Sequence, residues 1–377
     1  SIRPMKRSGP RIGIALDSGG AMGGAHVGVL DVLAGEGFRP EVIVGSSAGA
    51  AVGAVFAAGK LDEFASLISD MSFIKSLGLY VDPVFPYSGL LAGNRARAFL
   101  RELLGDAAIE DLPVKFAAVA TDLLTGETVA IDSGPLADAV MASIAIPGIF
   151  RPVVHMGRLL TDGGVSDPLP IDILRNYAPD IVIACNLHPR MTTRYSQANR
   201  RKIVEAERSA RSLDDDLASG MIERVIGLVK SQIPSTGEVL KALPRALAER
   251  LTAENRGAIL NSDIVKWLRE TIDEKATFLD GIKELATVRP AEKWRMSIVD
   301  IILNVMNIQQ YQKNRLMLKY EPPDILIEPD VVDIAALEFN KSALAMEEGR
   351  RKAAEAVVEL RRLVTRWGGQ SGRSDPK

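Results

Sequence analysis

The chain is 377 residues long, with 47% hydrophobic and 25% charged residues, three histidines and a formal net charge of −2. That balance describes a globular protein with a substantial core and offers no overall positive field for nucleic acid. Its one cysteine, Cys185, excludes an internal disulfide framework, and no apolar run reaches the roughly 20 residues that span a bilayer.

In chain order, Ile12–Leu16, Val42–Val44, Phe116–Thr121, Thr128–Ile131 and Ile181–Asn186 read as strands. His26–Gly35, Ala50–Ala58, Asn94–Leu104, Pro135–Ser143 and Pro170–Arg175 read as helices. Short apolar strands alternating with helices predict a three-layer α/β/α architecture around a mostly parallel sheet. Beyond Pro189 the signals turn helical, at Met221–Ile233, Gly237–Leu251, Ile264–Ile272, Phe278–Leu285 and Met296–Leu318, punctuated by Pro234, Pro244 and Pro290. Asp324–Pro329 then reads as one more strand, and Asn340–Trp367 as a last helix with Ala343, Ala345, Ala353, Val357, Leu360 and Val364 on a recurring face. The expected organisation is a catalytic core over 10–191, a long helical insertion over 192–321, and a strand and helix over 322–367 returning to the core.

Three glycine-rich segments carry the chemistry. Val44–Gly45–Ser46–Ser47–Ala48–Gly49–Ala50 joins an apolar strand to a helix through Gly-x-Ser-x-Gly. A serine there is held on a strained turn at a helix N-terminus, where free N–H groups favour developing negative charge. Only Ser47 has glycines, Gly45 and Gly49, at two-residue spacing on both sides, which makes it the candidate nucleophile.

Upstream, Ile12–Leu16 runs into Asp17–Ser18–Gly19–Gly20–Ala21–Met22–Gly23–Gly24. Consecutive glycines let backbone N–H groups converge on an anion. The same pattern suits a dinucleotide fold, but the next strand ends in Gly45–Ser46–Ser47 rather than the acidic residue that would hold a ribose. Downstream, Asp162–Gly163–Gly164 closes the short apolar run Leu159–Leu160 and leaves a carboxylate accessible. An Asp-Gly-Gly turn on its own marks only a turn.

Together these segments, with Ala145–Ile146–Pro147–Gly148–Ile149–Phe150, resemble the patatin-like phospholipase family of lipid acyl hydrolases. The terminal stretches Pro323–Pro329 and Glu347–Glu348–Gly349 resemble its bacterial members. The resemblance implies a Ser47–Asp162 dyad without histidine. It implies an oxyanion hole from the loop Gly19, Gly20, Ala21 and Gly23, and a substrate that is a phospholipid or another fatty acyl ester. No cofactor and no metal are expected. Two positions depart from the family pattern: Met22 stands where a basic residue is usual, and Ser18 where a further glycine is usual.

A free aspartate, with a pKa of about 3.9, is a poor base at neutral pH, but burial can raise a carboxyl by up to about 3–5 units. The apolar neighbours Phe150, Ile149 and Leu160 make such burial the expectation for Asp162. The order Ser47, Asp162, His188 also matches an α/β-hydrolase triad. Against that reading, a single strand precedes the nucleophile strand and Asp162 sits directly on a double glycine. An acyltransferase using the same acyl-serine would carry the same motifs, and so would a non-catalytic lipid-binding module. His26 and His155 read as structural, and Asp214–Asp215–Asp216 as a solvated turn rather than a metal site.

The basic stretch Arg190, Arg194, Arg200, Arg201, Lys202, Arg208 and Arg211, interrupted by Glu205 and Glu207, reads first as a solvated helix surface and alternatively as a patch that can attract anionic headgroups. With Arg3, Lys6 and Arg7 followed by no signal-type apolar stretch, the expected location is cytoplasmic, with peripheral contact at the inner membrane surface. The sequence specifies no oligomeric state.

Overall fold

The computed structural model describes residues 9–69, 90–191 and 298–371. The expected helices between Met221 and Leu285, and the basic residues from Arg194 to Arg211, lie outside them. Within them the elements run β1 (Ile12–Leu16), α1 (Gly24–Gly35), β2 (Val42–Ser46), α2 (Ala48–Ala57), α3 (Leu61–Ser69), α4 (Asn94–Leu104), β3 (Lys115–Asp122) and β4 (Thr128–Ile131). They continue as α5 (Leu136–Ser143), β5 (Val153–His155), β6 (Arg158–Asp162), α6 (Ile171–Arg175), β7 (Ile181–Cys185), α7 (Ile298–Tyr320), β8 (Ile325–Ile327) and α8 (Ser342–Ser371).

All eight strands join one sheet. β3, β2, β1, β7 and β8 are parallel neighbours, while β4 and β6 pair antiparallel with β3, and β5 with β6. The sheet is thus mostly parallel with an antiparallel flank. Its parallel strands are apolar on both faces because helices cover both.

Strand alternation sorts the side chains cleanly. Ile12, Ile14 and Leu16 of β1, Ile43 of β2, Phe116 and Ala118 of β3 and Ile181 and Ile183 of β7 enter the large core that includes Val27, Leu30, Val52, Val55, Val140 and Leu360 of the helices. Ala15, Val42, Val44, Ala117, Val119, Val182 and Ala184 point the other way, toward Leu169, Ile171 and Leu174, with Met317 and Leu318 of α7 packed against them. Two apolar layers flanking one sheet make the three-layer architecture.

The C-terminal segment belongs to this body. β8 extends the sheet beside β7, with Ile183 opposite Ile325. α8 packs along α1 at backbone contact: a β-carbon at Gly349 would fall 2.8 Å from the Ala25 carbonyl carbon, and one at Gly28 would fall 3.0 Å from that of Met346.

Strand register brings two distant motifs together. β4 pairs with Ala118–Thr121 of β3, so it fills one edge there. β2, paired with Lys115–Val119, and β6, paired with Ala120–Asp122, therefore share the opposite edge end to end. Ser46 lies opposite Val119 and Asp162 opposite Ala120, so the C-terminal ends of β2 and β6 meet at adjacent positions.

Candidate active site

Ser47 is the single residue between β2 and α2, with φ 51° and ψ −115°. A non-glycine residue held there stores on the order of 1–3 kcal/mol of strain. The flanking glycines are required by contact. A β-carbon at Gly45 would lie 2.5 Å from the Ala50 nitrogen, and one at Gly49 would lie 2.6 Å from the Leu16 carbonyl carbon and 2.8 Å from the Asp17 carbonyl oxygen. The start of α2 crosses the end of β1 with no room for side chains, and this crossing aims Ser47 at the strand ends.

Ser47 Oγ donates to Asp162 Oδ2 at 2.6 Å, and the Gly164 amide donates to Asp162 Oδ1 at 2.8 Å. The carboxylate thus caps the short helical turn after it. The Ser47 amide donates to Ser143 Oγ at 2.9 Å, and Ser143 in turn donates to the Val119 carbonyl. Ser143, at the end of α5, thereby holds the elbow from below.

Ser47 is 6% exposed and Asp162 1%. Burial pushes the Asp162 carboxyl up to about 6, against the opposing hydrogen bonds from Ser47 and Gly164. A carboxylate ionised at neutral pH, close to its pKa and bonded to a hydroxyl, can accept that hydroxyl's proton.

The glycine loop lies alongside. A β-carbon at Gly23 would fall 2.6 Å from that of Ala48, next to Ser47. Gly19 and Gly20 have φ of 154° and 56°, conformations suited to glycine. Their amides have no partner among the described residues. The Ala21 amide instead donates to the Ala336 carbonyl at 2.8 Å, so it is already engaged. Met22, where the related pattern has a basic residue, is buried in the core. Gly163 is confined by the Val119 carbonyl carbon, 2.8 Å from where its β-carbon would be.

The histidines stand apart from the Ser47–Asp162 pair. His188 Nδ1 bonds to Asp17 Oδ2 at 2.9 Å, at the root of the glycine loop. His26 is buried, and burial lowers its pKa to about 4. It is therefore neutral. Its Nε2–H donates to the Asp17 carbonyl at 2.7 Å, so its Nδ1 accepts from the Cys185 thiol at 3.2 Å. The serine hydroxyl bonds the carboxylate directly, with no imidazole between them.

Two further parts were not singled out from sequence. Asp17, fully buried, accepts from the Leu187 amide (2.8 Å), His188 Nδ1 (2.9 Å) and Asn314 Nδ2 (2.9 Å). Asn314 belongs to α7, which sequence alone presented only as a helical signal over Met296–Leu318. Among the described residues no group of three or more His, Cys, Asp or Glu could hold a metal ion.

Comparison with known proteins adds a family-level finding. A family model described as patatin-like phospholipase matches residues 14–175, a span that contains Asp17, Ser47 and Asp162. The chain is 33% identical over 357 residues to an uncharacterized NTE family protein of Mycobacterium tuberculosis, covering 95% of this chain and 94% of that protein. It is 32% identical over 185 residues to a patatin-like phospholipase domain-containing protein of Caenorhabditis elegans, covering 48% of this chain and 14% of that one. The crystal structure of VipD from Legionella pneumophila aligns over 93% of this chain and 87% of that one at 14% identity, with a TM-score of 0.33, too loose a likeness to argue from.

Proposed function

Because the chain belongs to the patatin-like phospholipase family, we propose that it is a serine hydrolase of lipid acyl esters working through Ser47 and Asp162. Lipid acyl hydrolysis is the activity the family supports. The assignment of this pair as the working dyad rests on one observation, the 2.6 Å hydrogen bond from Ser47 Oγ to Asp162 Oδ2.

In the first half-reaction Ser47 Oγ bonds to the ester carbonyl carbon as its proton passes to Asp162 Oδ2. The oxyanion that forms is taken up by the Gly19 and Gly20 amides, which have no partner among the described residues. Collapse breaks the carbonyl carbon–alkoxy bond, and Asp162 returns the proton to the leaving alcohol. In the second half-reaction water attacks the acyl-serine, Asp162 accepts a proton from it, and Ser47 regains its proton as the fatty acid leaves. Each missing oxyanion donor typically costs about 10² to 10³ in turnover.

Peripheral contact with a lipid surface is the finer part of the reading. Arg190, the one described member of the basic stretch, is committed to Asp330 and Asp333. The support comes instead from two adjoining β-hairpins, β3–β4 and β5–β6, joined by the Leu123 amide donating to the Leu159 carbonyl. They present Leu124 (79% exposed), Val154 (76%) and Met156 (79%). Among the described residues no helix is long and apolar enough to cross a membrane.

Mass-spectrometric profiling of a mixed lipid extract tests the function. Free fatty acid and deacylated lipid should accumulate with wild type and not with Ser47→Ala. Equal product from both proteins would refute the assignment.

A further inference from the structure

Helix α7 grips both loops that make the site. Toward one loop, Asn314, 1% exposed, donates from Nδ2 to Asp17 Oδ2 at 2.9 Å and to Asn186 Oδ1 at 3.0 Å. Toward the other, Gln309 Nε2 donates to the Val165 carbonyl and Lys313 Nζ to the Ser166 carbonyl, in the turn that begins at Asp162. Gln310, between them, lies over Gly164, where a β-carbon would meet its amide and would also fall 3.0 Å from both Asp162 Oδ1 and Ser18 Oγ.

We propose that α7 is the positioning brace of the site, with Asn314 setting the glycine loop through Asp17, and Lys313 and Gln309 setting the Asp162 turn. This rests on the hydrolase reading for its catalytic consequence, though not for its structural one. The gripping residues are 128 to 297 positions along the chain from the groups they hold, so the contacts are not products of local folding.

The root of the glycine loop explains why one amide matters. Asp17 is the last residue before Ser18–Gly19–Gly20, and its carboxylate is fully buried. Oδ2 gathers three donors, while Oδ1 has none among the described residues. A buried carboxylate served on one oxygen has no reserve. Losing one donor forces it to seek another, and the loop it heads must shift.

A displacement near 1 Å in catalytic geometry costs about 10²-fold in rate. Asn314 touches no substrate, so its effect should sit in the chemical step rather than in binding. The Lys313 end acts on the other loop: its ammonium holds the Ser166 carbonyl and also faces the buried Asp167, whose carboxyl burial pushes up and the Lys313 charge pulls down.

The test compares Asn314→Leu and Lys313→Met with wild type on a soluble short-chain ester, together with hydrogen–deuterium exchange. Asn314→Leu should lower kcat by roughly 10- to 100-fold with KM within about threefold. It should leave the midpoint of the pH profile in place, and amides in the Asp17–Met22 peptide should exchange faster. Lys313→Met should lower kcat with KM within about threefold and speed exchange at 163–167. If Asn314→Leu does not fold, Asn314→Ser takes its place.

Turnover within twofold of wild type and unchanged exchange in both loops would overturn the brace. So would a loss shared by the whole fold rather than confined to these peptides. If wild type hydrolyses no more ester than Ser47→Ala, the hydrolase reading fails, and the exchange data alone still decide whether α7 holds the loops.

Discussion

Replacing Asp162 by Asn exchanges a buried carboxyl for an amide of nearly the same outline. The amide oxygen can accept from the Gly164 amide, and its NH2 can donate to Ser47 Oγ, so both present hydrogen bonds have replacements. What disappears is the charge. In the folded protein burial raises the Asp162 pKa from 3.8 to about 6, whereas in the unfolded chain it titrates near its ordinary value. Below pH 3.8 the carboxyl is neutral in both states and costs nothing. As pH rises from about 4 to 6 the unfolded state ionises first, so wild type loses stability, and above 6 the loss is complete. At 1.36 kcal/mol per unit the penalty reaches about 3 kcal/mol. Asp162→Asn should therefore be more stable than wild type near pH 7.5 by about 3 kcal/mol beyond any offset present at about pH 3.5. It should also be almost inactive. Urea unfolding of both proteins from about pH 3.5 to 8, with activity measured on the same samples, makes the comparison. A stability difference that stays constant across this range would refute the reasoning.

His188→Gln should cost turnover about tenfold, through the Asp17 network, against at least about 10³-fold for Ser47→Ala; equal losses in kcat assays would restore the triad reading. Gly49→Ala places a methyl against the Leu16 carbonyl and should destabilise by about 1–3 kcal/mol in denaturant unfolding while abolishing the elbow geometry; wild-type stability and activity would contradict the tight crossing of α2 over β1. Leu124→Ser with Met156→Ser should weaken flotation with phospholipid vesicles while leaving hydrolysis of a soluble ester within twofold. Unchanged flotation would remove the hairpin turns from the lipid contact.

Most strands and helices of the described region were legible because their patterns are local; β5 and β6 were not among the expected strands. Ile12–Leu16, Thr128–Ile131 and Asn94–Leu104 form where the apolar runs place them. α3 was missed although Leu61, Phe64, Ala65 and Ile68 recur at helical spacing and pack against the core; the segment is short, nine residues, and directly follows α2. The antiparallel flank was also hidden, because pairing direction is set by partners far along the chain. The serine, the aspartate and the glycines could be named from motifs. Their meeting depends on β2 and β6 sharing an edge of β3, a property of register that no motif states. Ala21 illustrates the same limit: as part of the glycine loop it looks like a third donor, yet Ala336, more than 300 residues away, has already taken its amide. Ser143 and Asn314 were invisible for the same reason. A lone serine at a helix end and an asparagine in the polar stretch Gln309–Arg315 of a long helix acquire roles only through the backbone and carboxylate they meet.

Labelling with a fluorophosphonate tests the central claim most directly. Peptide mapping should find the adduct on Ser47 alone, formed at a rate that climbs through about pH 6 as Asp162 ionises and that collapses in Asp162→Asn. An adduct at another residue, or a labelling rate indifferent to Asp162→Asn, would contradict the account.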